Sequence, residues 1–271
     1  MKHLIQLTLL IQLILIPKYS VSQFVGTPYS TPFYIGLDFD GANDAVSLGN
    51  ITDLNNVSQY TVEYWGRFAN FSTWTTMLGK RITDSERVVH VQFGGTSGQV
   101  YAFIGSSYIY TTSVIIPNQW THIAVVYDGT LSATNRLKIY FNGILQPVIN
   151  IGTIPTLTPS SNAIFSLGSE YNYTTAMSSG NTGFLHCEQT LAQLRIWNTA
   201  RTQTQITNSM YNFDLSLAST GLLYYYKMDE GIPDGNNTGT TTIIDSKSAN
   251  NGNLFNFSMI NYTSNFITLP Y

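Results

Sequence analysis

At 271 residues the chain is long for an average domain yet within the reach of one large all-β domain. Charged residues are 10% of it, 15 acidic against 12 basic, with no basic run, so counterion-release binding to nucleic acid has no footing. A hydrophobic content of 43% excludes a disordered chain and supplies a core.

Met1, Lys2 and His3 precede a mostly apolar run from Leu4 to Ile16, and Ser20-Val21-Ser22 has the small-residue spacing of a signal-peptidase site. Residues 1–22 therefore read as a signal peptide cleaved after Ser22. The run is shorter than the ~20 residues a membrane span needs and is interrupted by Gln6, Thr8 and Gln12, and no later stretch is long enough to span. The expected destination is extracellular. Cys187 is the one cysteine, so no internal disulfide can form and the thiol is expected in the core.

Residues 23–36, with Pro28 and Pro32 among aromatics, read as an N-terminal arm. Leu37, Phe39, Val46 and Leu48 then mark a first hairpin around Asp40-Gly41-Ala42-Asn43-Asp44. Tyr60, Val62, Tyr64 and Phe68 share one face of a strand whose other face carries Thr61, Glu63, Trp65 and Arg67. Strands follow at Val89 to Phe93, Val100 to Ile104, Tyr108 to Val114 and Trp120 to Tyr127. Asn142-Gly143 accepts the positive φ angles of a tight primed turn, so Leu137 to Phe141 and Ile144 to Gln146 form a hairpin. Leu191 to Trp197 and Leu222 to Met228 are further strands. Between them, Thr202-Gln203-Thr204-Gln205 has capping-box spacing, and Ile206 and Met210 lie four apart, which predicts a short surface helix within Thr199 to Tyr211.

Six segments carry a family likeness in order: LDFDGANDAVSLG (Leu37 to Gly49), YTVEYWGRF (Tyr60 to Phe68), WTHIAVVYDG (Trp120 to Gly129), LKIYFNGILQ (Leu137 to Gln146), LAQLRIWNTARTQTQI (Leu191 to Ile206), and LLYYYKMDEG with DSKSANNGNL (Leu222 to Gly231, Asp245 to Leu254). Together they resemble the laminin-G-like jelly-roll domains of the concanavalin A-like superfamily. The resemblance implies an all-β fold, a two-sheet antiparallel jelly-roll sandwich, as one domain over 37–271. It also implies calcium near the first hairpin, held by Asp40, Asn43 and Asp44. Where many relatives carry Asp-Glu, one of them a calcium ligand, this chain has Ala192-Gln193. Calcium takes roughly six to eight oxygens, so the alternative is that 40–44 is a plain turn built from turn-favouring residues.

The same superfamily includes glucan-cleaving enzymes, which place paired carboxylates on alternate positions of one strand. No such run occurs. Asp38 and Asp40 share a face about 7 Å apart, but Asp40 enters a turn, and Asp229 and Glu230 point to opposite faces. His186 and Cys187 diverge as neighbours on an extended chain, His122 lies with Trp120, Ala124 and Val126 on a packed face, and His90 has no metal partner at useful spacing. No catalytic residue is assigned. What remains first is recognition of a carbohydrate or glycoprotein at a cell surface or in extracellular matrix, then adhesion to partner proteins, with a polysaccharide-cleaving enzyme as the third alternative. At least four of Tyr64, Trp65, Trp120, Trp197, Tyr224 and Tyr226 are expected in the core, whereas the loop aromatics Trp74, Tyr108, Tyr110, Tyr171 and Tyr173 are the contact candidates. Asn-x-Ser/Thr triplets begin at Asn50, Asn56, Asn70, Asn172, Asn236, Asn256 and Asn261, candidate glycan acceptors in a eukaryotic secretory route.

Overall fold

A computed structural model describes residues 35–95 and 97–268. The signal peptide and nearly all of the predicted arm lie outside the described residues. In chain order the strands are β1 (Ile35–Asp40), β2 (Ala45–Ser47), β3 (Gln59–Phe68), β4 (Thr76–Lys80), β5 (Val89–Phe93), β6 (Val100–Ile104), β7 (Ser107–Thr111), β8 (Thr121–Asp128), β9 (Leu137–Phe141), β10 (Ile144–Leu145), β11 (Val148–Ile151), β12 (Phe165–Leu167) and β13 (Glu188–Trp197). Helix α1 (Gln203–Ser209) follows, then β14 (Leu222–Tyr226), β15 (Thr242–Ile243), β16 (Gly252–Phe255) and β17 (Phe266–Thr268).

The strands form two antiparallel sheets. One runs β10-β9-β8-β3-β13-β1-β17, with β14 also paired to β13; the other runs β11-β7-β6-β5-β4-β12-β2-β16-β15. Side chains alternate across each strand. Tyr60, Val62, Tyr64 and Phe68 of the first sheet therefore enter one core with Val89, Val91, Phe93, Val100, Ala102 and Ile104 of the second. Burying such side chains stabilises by roughly 1.5–3 kcal/mol each. Five of the six aromatics expected to divide between packing and contact are buried, namely Tyr64, Trp65, Trp197, Tyr224 and Tyr226. Cys187 is buried in the same core as Tyr64, Tyr224 and Tyr226.

Two local expectations met different fates. Asn142 and Gly143 have φ of 50° and 74° and join β9 to β10 as a tight hairpin. The first predicted hairpin is instead a corner. β1 pairs with β13 and β17 in one sheet, while β2 pairs with β12 and β16 in the other, so the turn at 40–44 carries the chain from layer to layer. Alternation and turn residues predict strand ends, but they do not say which sheet each strand joins.

The predicted helix is α1, and its capping box forms: Gln205 N–H donates to Thr202 Oγ1 and Thr202 N–H to Gln205 Oε1. Ile206 buries against Ala124, Val126 and Tyr140 on the outer face of the first sheet. No helix among the described residues is long and apolar enough to cross a membrane.

Candidate functional site

The outer face of the second sheet carries the clearest cluster of recognition groups. With Val89, Val91 and Phe93 facing inward, alternation turns His90 and Gln92 of β5 outward; the same rule turns Tyr101 and Phe103 of β6 and Tyr108 and Tyr110 of β7 to this face, where the three tyrosines are half-buried and Phe103 is buried. Register sets Tyr101 beside Tyr110 and Phe103 beside Tyr108. The Tyr101 and Tyr110 rings stack at 4.8 Å with an interplanar angle of 11°, and Phe103 lies 4.7 Å from Tyr108. These faces are spent on one another. The edges and phenol hydroxyls of Tyr101, Tyr108 and Tyr110 remain, and those hydroxyls have no protein partner among the described residues.

Trp74 stands at the end of this row, edge-on to Tyr101 at 5.6 Å and 42% exposed. Its φ is 66°, a left-handed conformation that costs a residue with a Cβ roughly 1–2 kcal/mol, and its N–H is tied to Phe93 O at 2.8 Å. Gly94 makes the packing possible, since a Cβ there would fall 2.0 Å from the Tyr101 ring.

Beside the row lies a cleft of about 320 Å³, at the small end of the roughly 300–1,000 Å³ of small-ligand sites. Trp74, Phe103 and Tyr108 form part of its wall, and Arg81, Arg87, Glu170 and Gln92 supply polar groups. Arg81 Nη1 donates to Glu170 Oε1 at 2.9 Å, and Asp84 Oδ1 accepts from Arg81 Nη2 at 3.0 Å and Arg87 Nη2 at 2.6 Å. The Arg87 guanidinium lies 4.5 Å over the Phe103 ring. Below them His90 is fully buried, its Nε2 2.6 Å from Gln92 Oε1 and 3.3 Å from Glu170 Oε2.

Electrostatics fix the protonation of this floor. Burial pushes the His90 imidazole down, against the pull of Glu170. Its Nδ1 has no partner and faces Gly79, so the neutral Nε2–H tautomer suits the site. Burial pushes the Glu170 carboxyl up, but the His90 hydrogen bond with the Arg81 and Arg87 charges outweighs it and holds Glu170 below the ordinary range.

The predicted contact residues divide. Trp74 and Tyr108 line the cleft, and Tyr110 belongs to the adjoining row. Tyr108 and Tyr110 lie on strand β7 rather than in a loop. Tyr171 corrects the expectation: it is buried against Ala45 and Met177, with its hydroxyl shared between the Thr175 and Ala176 carbonyls. Tyr173 is exposed and packs on it at 5.2 Å. Arg81, Arg87, Glu170 and Gln92 escaped the sequence reading, and His90 entered it only as a metal ligand without a partner. The outward alternation of β5 and β6 was available as a signal for His90, Gln92, Tyr101 and Phe103; nothing local marks Glu170.

The loop suggested for calcium binds mainly itself. Asp40 Oδ1 accepts from Ala42 N–H at 2.8 Å and Asn43 N–H at 3.4 Å, and Asp44 Oδ2 accepts from Asp40 N–H at 2.9 Å. Asp44 Oδ1 alone is buried without a partner, and burial pushes this carboxyl up to about 7. The Asn43 and Asp44 carbonyls meet Asn256 Nδ2 and His186 Nδ1. Among the described residues no three His, Cys, Asp or Glu side chains gather as a metal cluster. This donor set falls short of the roughly six to eight oxygens calcium takes. Ala192 packs on Trp65, and Gln193 Oε1 accepts from Tyr225 and Arg195.

Other suspected groups are structural. Asp38 accepts from Thr190 Oγ1 and Ser264 N–H, and burial raises its pKa. Burial pushes the Cys187 thiol up to about 12, while its neighbour His186 turns to Asp44 O. Of the sequons, Asn50, Asn56, Asn70, Asn236 and Asn261 are exposed and Asn172 and Asn256 half-buried; Asn50, Asn70 and Asn256 donate their Nδ2 to Asn162, Glu188, and Asn43 with Ser179.

A laminin G-like family model, described as the concanavalin A-like lectin/glucanases superfamily, matches residues 40–207. Among curated proteins no sequence matches. A candidate carbohydrate-binding protein from Bacteroides ovatus is similar in structure at a TM-score of 0.63 and 20% identity, over 88% of this chain and 61% of that one, so the chain spans about three fifths of that protein. A heptameric SAP-like pentraxin from Limulus polyphemus is similar at 0.51 and 13%, over 82% and 94%. The NanB sialidase of Streptococcus pneumoniae gives 0.49 and 12%, over 65% and 28%. At these identities the likeness is one of fold.

Proposed function

The chain belongs to the concanavalin A-like lectin/glucanases superfamily, and from that premise we propose that it is a secreted, non-catalytic module that binds carbohydrate, free or on a glycoprotein, at the cleft beside Trp74. The observation that carries this reading is the pairing of an exposed, conformationally strained Trp74 with a row of partner-free tyrosine hydroxyls and a rigid set of guanidinium and amide donors. A sugar ring offers an apolar face to an aromatic surface and hydroxyls to polar groups. The likeness in fold to the Bacteroides ovatus protein agrees with it.

The carboxylates favour binding over hydrolysis. A glycosidase keeps one carboxyl protonated as its acid. In the cleft Glu170 is held below the ordinary carboxylate range by its His90 hydrogen bond and the two arginines, and Asp84 is bridged to the same two guanidinium groups. Secretion is supported by the charged and apolar pattern of residues 1–22.

A glycan array read with and without calcium tests the proposal. Wild-type protein binds at least one glycan class, and Trp74→Ala and Tyr108→Ala lose that signal while still unfolding in one cooperative transition. A blank array for the wild-type protein in both conditions refutes it. A second reading, adhesion to a partner protein, draws on exposed Ile144 and Leu145 of β10 and Ile149 and Ile151 of β11, edge strands of the two sheets. Concentration-dependent sedimentation without sugar binding would favour it.

A further inference from the structure

We propose that the cleft selects uncharged glycans, with Asp84 and Glu170 cancelling the two arginines so that their guanidinium groups read hydroxyls instead of carboxylates or sulfates. This inference rests on the carbohydrate-binding reading above and goes further by naming the ligand class.

Arginine in a ligand cleft ordinarily selects anions, because its planar fork matches a carboxylate or sulfate. Here both forks are already used. Arg81 spans two carboxylates, with Nη1 on Glu170 Oε1 at 2.9 Å and Nη2 on Asp84 Oδ1 at 3.0 Å. Arg87 Nη2 shares the same Asp84 oxygen at 2.6 Å, and its Nη1 reaches the Asp84 carbonyl at 3.4 Å. Two cations face two anions, and His90 beneath them is neutral, so the floor carries no net charge.

An incoming carboxylate would have to displace Asp84 or Glu170, or lie beside them as a third anion. Glu170 cannot swing away, because its side chain is 4% exposed and also held by His90. Each guanidinium Nη carries a second N–H not spent on these bonds, and Arg81 and Arg87 both line the cleft, so these groups still donate; Nε of both residues is buried without a partner. A sugar hydroxyl accepts such a bond without bringing charge. Asp84 is 70% exposed at the lip, which makes it the removable half of the cancellation.

The test is a panel of neutral oligosaccharides (cello-, manno-, xylo- and arabino-hexaose) against acidic ones (oligogalacturonate, sialyllactose, a heparin hexasaccharide), titrated by calorimetry at about 50 and 500 mM NaCl. Binding confined to neutral members, with Kd shifting less than about twofold over that range, is expected. Asp84→Asn leaves one guanidinium charge uncompensated and should gain acidic ligands whose affinity weakens several-fold at the higher salt. Preference of the wild-type protein for acidic members overturns this inference and leaves carbohydrate binding standing. An Asp84→Asn protein of unchanged preference overturns the assigned role of Asp84. A panel in which nothing binds overturns both.

Discussion

Arg201 Nη1 donates to Glu63 Oε1 at 2.5 Å across the outer face of the first sheet, joining β3 to the segment that leads into α1. Trp197 Nε1 donates to the same oxygen at 3.1 Å, Arg195 lies 3.8 Å away, and the Arg201 guanidinium stacks 4.0 Å over the Trp197 ring. Arg201 Nη2 also donates to Gln205 O and Ser209 Oγ, so one buried carboxylate anchors the helix through one guanidinium. Burial pushes the Glu63 carboxyl up, opposed by both arginines. Glu63→Gln is therefore a stability variant. Leaving two buried guanidinium groups without their anion should cost about 3–5 kcal/mol, read as a lower urea midpoint at unchanged slope. A variant as stable as the wild-type protein would show that the ion pair does not hold the helix.

Gly79 of β4 pairs with His90 of β5, and a Cβ at this glycine would fall 2.4 Å from His90 Nδ1. Gly79→Ala must then push the imidazole off Gln92 and Glu170. Overpacking of this kind costs about 1–3 kcal/mol. Burial holds the His90 pKa below 6.5, so displacement toward the cleft should raise it toward that ordinary value, which an NMR titration of the ring protons reports. An unmoved titration curve would mean that the ring is not held where the glycine leaves room.

These two contacts mark how far the sequence could be read. Alternation in Tyr60 to Phe68 placed the core face of β3, and Asn142-Gly143 placed a hairpin, because both signals are local. The partner of Glu63 is 138 residues away in sequence and that of His90 is 80 away, and period-two patterning does not encode such pairings. The same limit explains the first corner, read as a hairpin, and the burial of Tyr171, whose setting depends on Met177 and Ala45. Trp74 and Tyr108 were legible as candidate contact residues, chosen as loop aromatics although Tyr108 lies on β7; the charge-balanced floor beside them was not.

His122 should govern acid sensitivity. It is 1% exposed, edge-on to the Trp65 ring at 5.4 Å, and burial, with the Arg195 and Arg201 charges, holds its imidazole down to about 3. Unfolded, it titrates near 6.5. Above 6.5 it is neutral in both states and its contribution is complete. Below 6.5 the unfolded chain takes up the proton first, so stability falls by up to about 1.4 kcal/mol per pH unit until about 3. Asp44 and Glu230, both pushed up to about 7 by burial, act in the opposite sense, favouring the folded state at low pH and losing that contribution as pH rises through 7. Wild type minus His122→Gln isolates the histidine: urea midpoints at pH 7, 5 and 4 should converge as pH falls. Parallel profiles would remove His122 from the account.

Trp74 separates stability from binding. With φ at 66° and the residue 42% exposed, Trp74 stores backbone strain while more than half of its surface packs against the protein. Both Trp74→Gly and Trp74→Ala lose the packing of the ring, and Trp74→Gly also relieves the strain, so, net of glycine's freedom in the unfolded chain, it should be the more stable of the two by up to about 1 kcal/mol. Trp74→Ala keeps the strained φ and lacks that gain. Both variants remove the aromatic face. A central aromatic contact is typically worth at least about 2 kcal/mol, so both should weaken binding of the best wild-type glycan by roughly 30-fold. Equal stability for the two variants would show that the left-handed backbone costs nothing here. Wild-type affinity in Trp74→Gly would move the sugar contact away from the tryptophan altogether.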